Sequence, residues 1–136
     1  MTIYLDSSVI LRILLGEPGA LETYRNFREA VTSCITEIEC LRVLDRIRIL
    51  KGISDDAMAI RRGGYFSLIE GIDLVELSPG ILKRASEPFP VMIKTLDAIH
   101  IATILALREE RGEKIAMATH DAGMGHHDVQ LHSLLV

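Results

Sequence analysis

Short β-type apolar runs alternate with stretches of helical periodicity along this chain, and that alternation constrains its fold more than any other feature. Parallel neighbours in a sheet need a long crossover, usually a helix, so strands separated by helices imply an α/β domain with a mainly parallel sheet. TIYL at residues 2–5 reads as a buried strand ending at Asp6. Ser7 and Ser8 stand where they can cap a helix over residues 9–15, which Gly16 and Pro18 end. Residues 19–30 read as a second helix, with Leu21, Tyr24 and Phe27 at helical spacing, and AVTSC at 30–34 as a second strand. A helical pattern then runs over 35–51 to Gly52. Ser54, Asp55 and Asp56 cap a further helix to about residue 69, weakened by the Gly63–Gly64 pair. IDLVEL at 72–77 alternates like a strand, and Ser78–Pro79 opens a short helix over 80–85. After a loop marked by Pro88 and Pro90 comes a long helix over 96–111, then a strand KIAMAT at 114–119 and a last short strand at 129–131. There is no internal repeat, low-complexity tract or linker, and 136 residues suit one domain, residues 1–136.

Composition narrows the function classes. With 49% hydrophobic residues the chain is globular, and no apolar run approaches the roughly 18 residues that span a bilayer. The start MTIYLDSSVI lacks the basic opening of a signal peptide, so the expectation is a cytoplasmic protein with no membrane partner. Cys34 and Cys40 are too few for a disulfide framework and wrongly spaced for a zinc knuckle, which leaves reduced, buried or half-buried thiols. A net charge of −4 argues against a non-specific nucleic-acid coat protein. It does not argue against a nuclease, because acids committed to chelating metal have their charge cancelled by the bound cations.

The chemistry is carried by where four acids fall. Asp6 ends the first strand and Asp121 follows the strand KIAMAT, so two strands deliver acids to the carboxyl edge of the sheet, where open α/β folds bind ligands. Asp97 stands at the start of the long helix in TLDAIHIA, and Glu39 lies in the helix after the second strand in TEIECLRVL, both flanked by apolar residues. An acid in apolar surroundings is costly unless its charge is compensated, and a shared Mg²⁺ or Mn²⁺ with oxygen ligands would do that. Each acid alone has a plainer reading. Asp6 caps the next helix, Asp97 sits on a helix dipole, Asp121 is a turn residue and Glu39 pairs with Arg42 three residues on. What the plain readings leave unexplained is that every one of them lies at a strand end or in a helix beside one.

YLDSSVIL, CITEIECLRVL, KTLDAIHIATIL and ATHD, in that order, resemble the four acidic blocks of the PIN-domain family, in particular the VapC-type toxins of toxin–antitoxin pairs. LDAIHIA is the most specific block, and the resemblance covers nearly the whole chain. It implies a three-layer α/β/α fold and a ribonuclease that depends on Mg²⁺ or Mn²⁺, with Asp6, Glu39, Asp97 and Asp121 as its acids. Glu37 rivals Glu39, but the sequence around Glu39 matches better. The resemblance also implies an RNA substrate, a cognate antitoxin protein that covers the site, and a homodimer. Ser7 and Thr119 match hydroxyls that the family often places beside its acids, to orient a carboxylate or a metal water, although a helix cap or a strand-end hydrogen bond serves equally. His100, three residues after Asp97, either hydrogen-bonds that carboxylate or packs.

Other constellations compete. His120, His126, His127 and His132 gather with Asp121 and Asp128 near the C-terminus, but in no ordered zinc motif. Arg42, Arg46, Arg48, Lys51, Arg61 and Arg62 form either a solvated face or a contact for an RNA backbone or an acidic partner segment. With 4% aromatics and no Trp, base stacking does not dominate recognition. A non-catalytic PIN-like module that binds RNA or protein is the main alternative, and the four intact acids weigh against it. A metal-dependent phosphatase is disfavoured because Ser7–Ser8 follow Asp6, with no second acid two residues on.

Overall fold

Ten elements follow one another in a computed structural model that describes residues 2–17 and 28–119 and the backbone of 130–132. They are β1 (Thr2–Leu5), α1 (Ser7–Leu14), β2 (Glu29–Ser33), α2 (Ile35–Lys51), α3 (Asp55–Ile69), β3 (Asp73–Val75), α4 (Pro79–Ala85), α5 (Thr95–Arg111), β4 (Ile115–Thr119) and β5 (Gln130–His132). The strands form one sheet in the order β3-β2-β1-β4-β5. The first four are mutually parallel and β5 is antiparallel to β4, so the expected α/β fold with a mainly parallel sheet is what the chain adopts.

Side-chain alternation along the strands divides the core into two. Ile3 and Leu5 of β1 and Ala118 of β4 face one side, where they pack with Val9 and Ile10 of α1, Cys40 of α2 and Tyr65 of α3. Tyr4, Val31, Ile115 and Met117 face the other side, against Ile104 and Leu107 of α5. Tyr4 is in register with both Val31 and Met117, which aligns that second face. Helices thus cover both faces and β1 is buried along its whole length, as parallel strands generally are. Each fully buried aliphatic side chain of this kind contributes roughly 1.5–3 kcal/mol.

The chain steps outward from β1 to β2 to β3, then returns to place β4 on the other side of β1. The strand order therefore reverses between β1 and β4, and it is in the crevice at the carboxyl ends of such a pair that open α/β sheets bind ligands. The ladder extends one step past β1, where the Asp6 N–H donates to the Ala118 carbonyl at 3.2 Å.

Several boundaries differ from the sequence expectation. Helix α1 begins at Ser7 with Asp6 as its cap, rather than at Val9 with a serine cap, because the Asp6 carboxylate accepts from the Ser8 and Val9 N–H groups. Glu29 and Ala30 belong to β2, so a helix over 19–30 does not reach its last two residues; residues 18–27 lie outside the described residues. The Gly63–Gly64 pair does not interrupt α3, which is continuous and capped by Ser54. β3 is shorter than expected because the chain turns away at Ser78, whose hydroxyl caps α4 with Pro79 in the first turn. Helices α2 and α5 stop at Gly52 and Gly112, whose left-handed φ of 62° and 64° only glycine adopts freely. Both cysteines are free, Cys40 buried and Cys34 half-buried.

Candidate active site

Asp6 stands at the crevice because β1 ends there and α1 begins. It is 7% exposed, and its carboxylate is wrapped by neutral donors. Oδ1 accepts from the Ser8 N–H at 3.0 Å, the Val9 N–H at 3.3 Å and the Ser8 hydroxyl, and Oδ2 accepts from the Thr119 hydroxyl at the end of β4. Burial pushes its pKa above the usual 3.8, while the Ser8 and Thr119 hydroxyls, nearby His100 and the Val9 N–H pull back towards the charged form.

Glu39 reaches the same crevice from the second turn of α2. Its Oε2 accepts from the Ser7 hydroxyl at 3.1 Å, and its Oε1 meets His100 Nε2 at 2.6 Å. The other ring nitrogen of His100, Nδ1, lies 2.5 Å from the Tyr4 hydroxyl, with the two rings edge to face at 5.6 Å. Tyr4 and His100 are buried, while the Glu39 side chain keeps 16% exposure. Burial, with Asp6 and Glu39 nearby, raises the Tyr4 pKa, so its hydroxyl keeps its proton. The buried Cys40 thiol, whose Sγ lies 3.7 Å from the Ser7 carbonyl, is pushed up to about 12 by burial, with Glu39 and Asp6 adding to the shift. It is not a nucleophile at neutral pH.

Two sequence readings change here. Glu39 does not pair with Arg42, which together with Arg48 turns to Asp45, at 3.1 Å and 3.0 Å. His100 bonds Glu39 rather than Asp97. Asp97 itself is solvent-exposed in the first turn of α5, despite its apolar sequence neighbours. It is the third residue of α5, one turn before His100. Asp121 and Asp128, with the side chains of the histidine group, lie outside the described residues. Glu37 is exposed in the first turn of α2.

Among the described residues, no three His, Cys, Asp or Glu side chains are gathered as a complete metal site. The donor chemistry nonetheless fits a hard divalent cation. Asp6 is a buried carboxylate whose hydrogen-bond partners among the described residues are all neutral, which suits it to a cation. Of the basic residues, Arg46, Lys51 and Arg62 are exposed and Arg61 is half-buried. Tyr4 was not singled out from the sequence. A tyrosine in a strand buried on both faces must find a partner for its hydroxyl, and that is the signal that could have marked it.

An α/β crevice with a buried aspartate at the end of β1 and a glutamate from α2, the helix after β2, defines an acid-site domain. Residues 3–128 match the PIN domain model. The chain belongs to the PIN domain family and is homologous to the VapC ribonucleases. It is 31% identical to Ribonuclease VapC46 of Mycobacterium tuberculosis over 124 residues, covering 90% of this chain and 86% of that one. Ribonuclease VapC47 of the same species is 27% identical over 79% of this chain and 78% of its own. Among solved structures, a toxin–antitoxin complex from Klebsiella pneumoniae superposes with a TM-score of 0.64 at 16% identity, covering 88% of this chain and 86% of that chain. The Mycobacterium tuberculosis toxin VapC20, which cleaves the sarcin–ricin loop, gives 0.60 at 14% identity, covering 88% and 90%. These two likenesses speak for the fold. Among the described residues, no helix is long and apolar enough to cross a membrane.

Proposed function

We propose that this VapC-type chain is an endoribonuclease that hydrolyses RNA phosphodiester bonds with Mg²⁺ or Mn²⁺, and that it is the toxin of a toxin–antitoxin pair. The observation that carries the metal reading is Asp6, a buried carboxylate at the topological switch point whose hydrogen-bond partners among the described residues are neutral. Asp6 and Asp97 would hold the tighter ion, with Glu39 and Asp121 completing the site. A divalent ion held there would supply an acidified water and relieve charge on the phosphoryl oxygens. The chain's own part is orientation. Thr119 and Ser8 aim the Asp6 carboxylate, and Ser7 and His100 hold the two oxygens of Glu39. Solvent-exposed Asp97 can meet an ion and an RNA strand without any opening of the core.

The partners we propose are RNA and a cognate antitoxin whose tail covers the acidic crevice, with the chain acting as a homodimer. Relatives named as ribonucleases and a structural neighbour solved as a toxin–antitoxin complex support this reading. The test is RNA cleavage by the purified chain with Mg²⁺ or Mn²⁺, abolished by EDTA, together with growth rescue and co-purification when the product of the adjacent small gene is co-expressed. Cleavage that continues in EDTA would remove the metal from the mechanism. A chain that cleaves RNA yet is harmless when expressed alone would remove the toxin role.

A further inference from the structure

The hydrogen bonds at Glu39 continue into the core, to a residue that does not line the crevice. Glu39 is clamped from both sides, by the Ser7 hydroxyl on Oε2 and by His100 on Oε1. The other ring nitrogen, Nδ1, meets the Tyr4 hydroxyl at 2.5 Å, so the imidazole is held at both of its nitrogens, by Glu39 on one edge and by Tyr4 on the other. Tyr4 is fully buried in the middle of β1, in register with neighbours on both sides, so its backbone is fixed by the sheet. His100 is 1% exposed, which leaves its ring little freedom once both nitrogens are engaged.

We propose that Tyr4 is a positioning residue for the metal site. It acts through His100, holding the ring through Nδ1 at the angle that fixes Glu39 for its role as a ligand. This rests on the reading of Glu39 as part of that site. Phenylalanine would fill the same space between Val31, Met117 and Ile104 but would lose the hydroxyl's polar contacts, which besides His100 include the Ser33 backbone and the Thr103 side chain. What the hydroxyl adds is a direction. Outer partners of this kind orient ligands, and their loss typically weakens metal affinity about 10–100-fold.

Tyr4→Phe deletes the hydroxyl and keeps the ring. Three readouts on the purified protein test the proposal: Mn²⁺ titration calorimetry, the metal-free melting temperature, and the imidazole ¹⁵N signals of His100 without metal. The expected result is Mn²⁺ affinity weakened about tenfold, together with a change in the His100 imidazole nitrogen signals. In a His100→Ala background, Tyr4→Phe should produce no further weakening. A lowered melting temperature with unchanged affinity and unchanged His100 signals would overturn the proposal, leaving Tyr4 as packing. Equal weakening in the His100→Ala background would also overturn it, because the effect would not pass through the ring. Should Tyr4→Phe fail to fold, His100→Ala and His100→Gln carry the test. The glutamine amide can donate to Glu39 and should restore part of the affinity lost in the alanine variant, whereas wild-type affinity in His100→Ala would overturn the relay. Glu39→Gln in the same titration separates the two ideas. If it weakens Mn²⁺ binding and Tyr4→Phe does not, only the relay is wrong. If it leaves binding unchanged, the ligand reading of Glu39 falls and takes the relay with it.

Discussion

Asp6 is 7% exposed and receives four hydrogen bonds from two hydroxyls and two backbone N–H groups, whereas Asp97, in the first turn of α5, is open to solvent. The difference follows from the elements that carry them. A residue at the end of the central strand is enclosed by the helix that follows and by the neighbouring strand, here through Thr119. A residue on the solvent side of the first turn of a helix lies beside the positive end of the helix dipole. The buried acid must be stabilised by the protein or by a cation, and its surroundings oppose its charge. The exposed acid faces water. The proposed site thus joins one acid under strain from burial to one that water already satisfies, so the same substitution should act differently on each.

Activity is where the two acids should agree, and where the largest effect is expected. If both hold the ion, Asp6→Asn and Asp97→Asn should each lower RNA cleavage on the order of 100-fold or more, the scale of losing a few kcal/mol of metal-assisted stabilisation. Cleavage rates at saturating Mn²⁺ check this. Full activity in Asp97→Asn alone would leave Asp6 as the ligand and reduce Asp97 to a helix-start acid.

Stability is where they should part. The unfolded Asp6 carboxyl ionises near 3.8 and the folded one at a higher pH, so between those values the folded state binds more protons. Its contribution to stability is therefore fully present below 3.8 and is lost as pH rises through the raised folded value. The metal-free protein should be more stable on the acid side of neutrality than above it, as far as Asp6 contributes. Asp6→Asn, which keeps a capping oxygen, should raise the metal-free melting temperature at neutral pH and flatten that slope. Asp97→Asn should instead lower it slightly, by the roughly 0.3–1 kcal/mol that an acid gains in a first helical turn. Both should shrink the upward shift that millimolar metal produces, since binding to the folded state alone stabilises by mass action. Thermal melts with EDTA and with Mn²⁺, across pH, check the sign for each variant. If Asp6→Asn melts lower without metal, the hydrogen bonds outweigh the burial cost and the contrast between the two acids is wrong.

The strand and helix order was readable because apolar periodicity is local, and β1, α2, α5 and β4 fall within a residue or two of where the sequence places them. Helix starts were less readable. Asp6, Ser7 and Ser8 are all good caps, and only the point where β1 leaves the sheet decides among them. The partners of Glu39 were not readable at all. Arg42 lies one turn away, but the groups that bind Glu39 are Ser7 and His100, 32 and 61 residues distant in sequence. Nor does a flanking apolar run report burial, since Asp97 and Glu39 share that context, yet Asp97 is exposed and Glu39 is half-buried. Hydrophobic neighbours on a helix turn to one face and leave the next residue in water.

The smallest expected effect calibrates the contrast. A rise in melting temperature after Asp6→Asn means relief of a buried charge only if a gain unrelated to charge behaves differently. Gly63 offers such a gain. It lies within the continuous helix α3 without a positive φ, and a Cβ built there meets no atom within 4 Å. Gly63→Ala removes freedom from the unfolded chain without touching the crevice, and should stabilise by about 0.5–1 kcal/mol, or roughly 2–5 °C in a domain of this size. That gain should be the same at acid and neutral pH and the same with and without Mn²⁺, because neither protons nor metal see the new methyl group. The Asp6→Asn gain should shrink towards acid pH, where the wild-type carboxyl is protonated anyway, and should vanish when metal neutralises the wild-type charge. If melts of the two variants instead run parallel across both conditions, Asp6→Asn acts through general helix or strand stability. The burial of Asp6 would then carry no electrostatic cost for a metal ion to relieve.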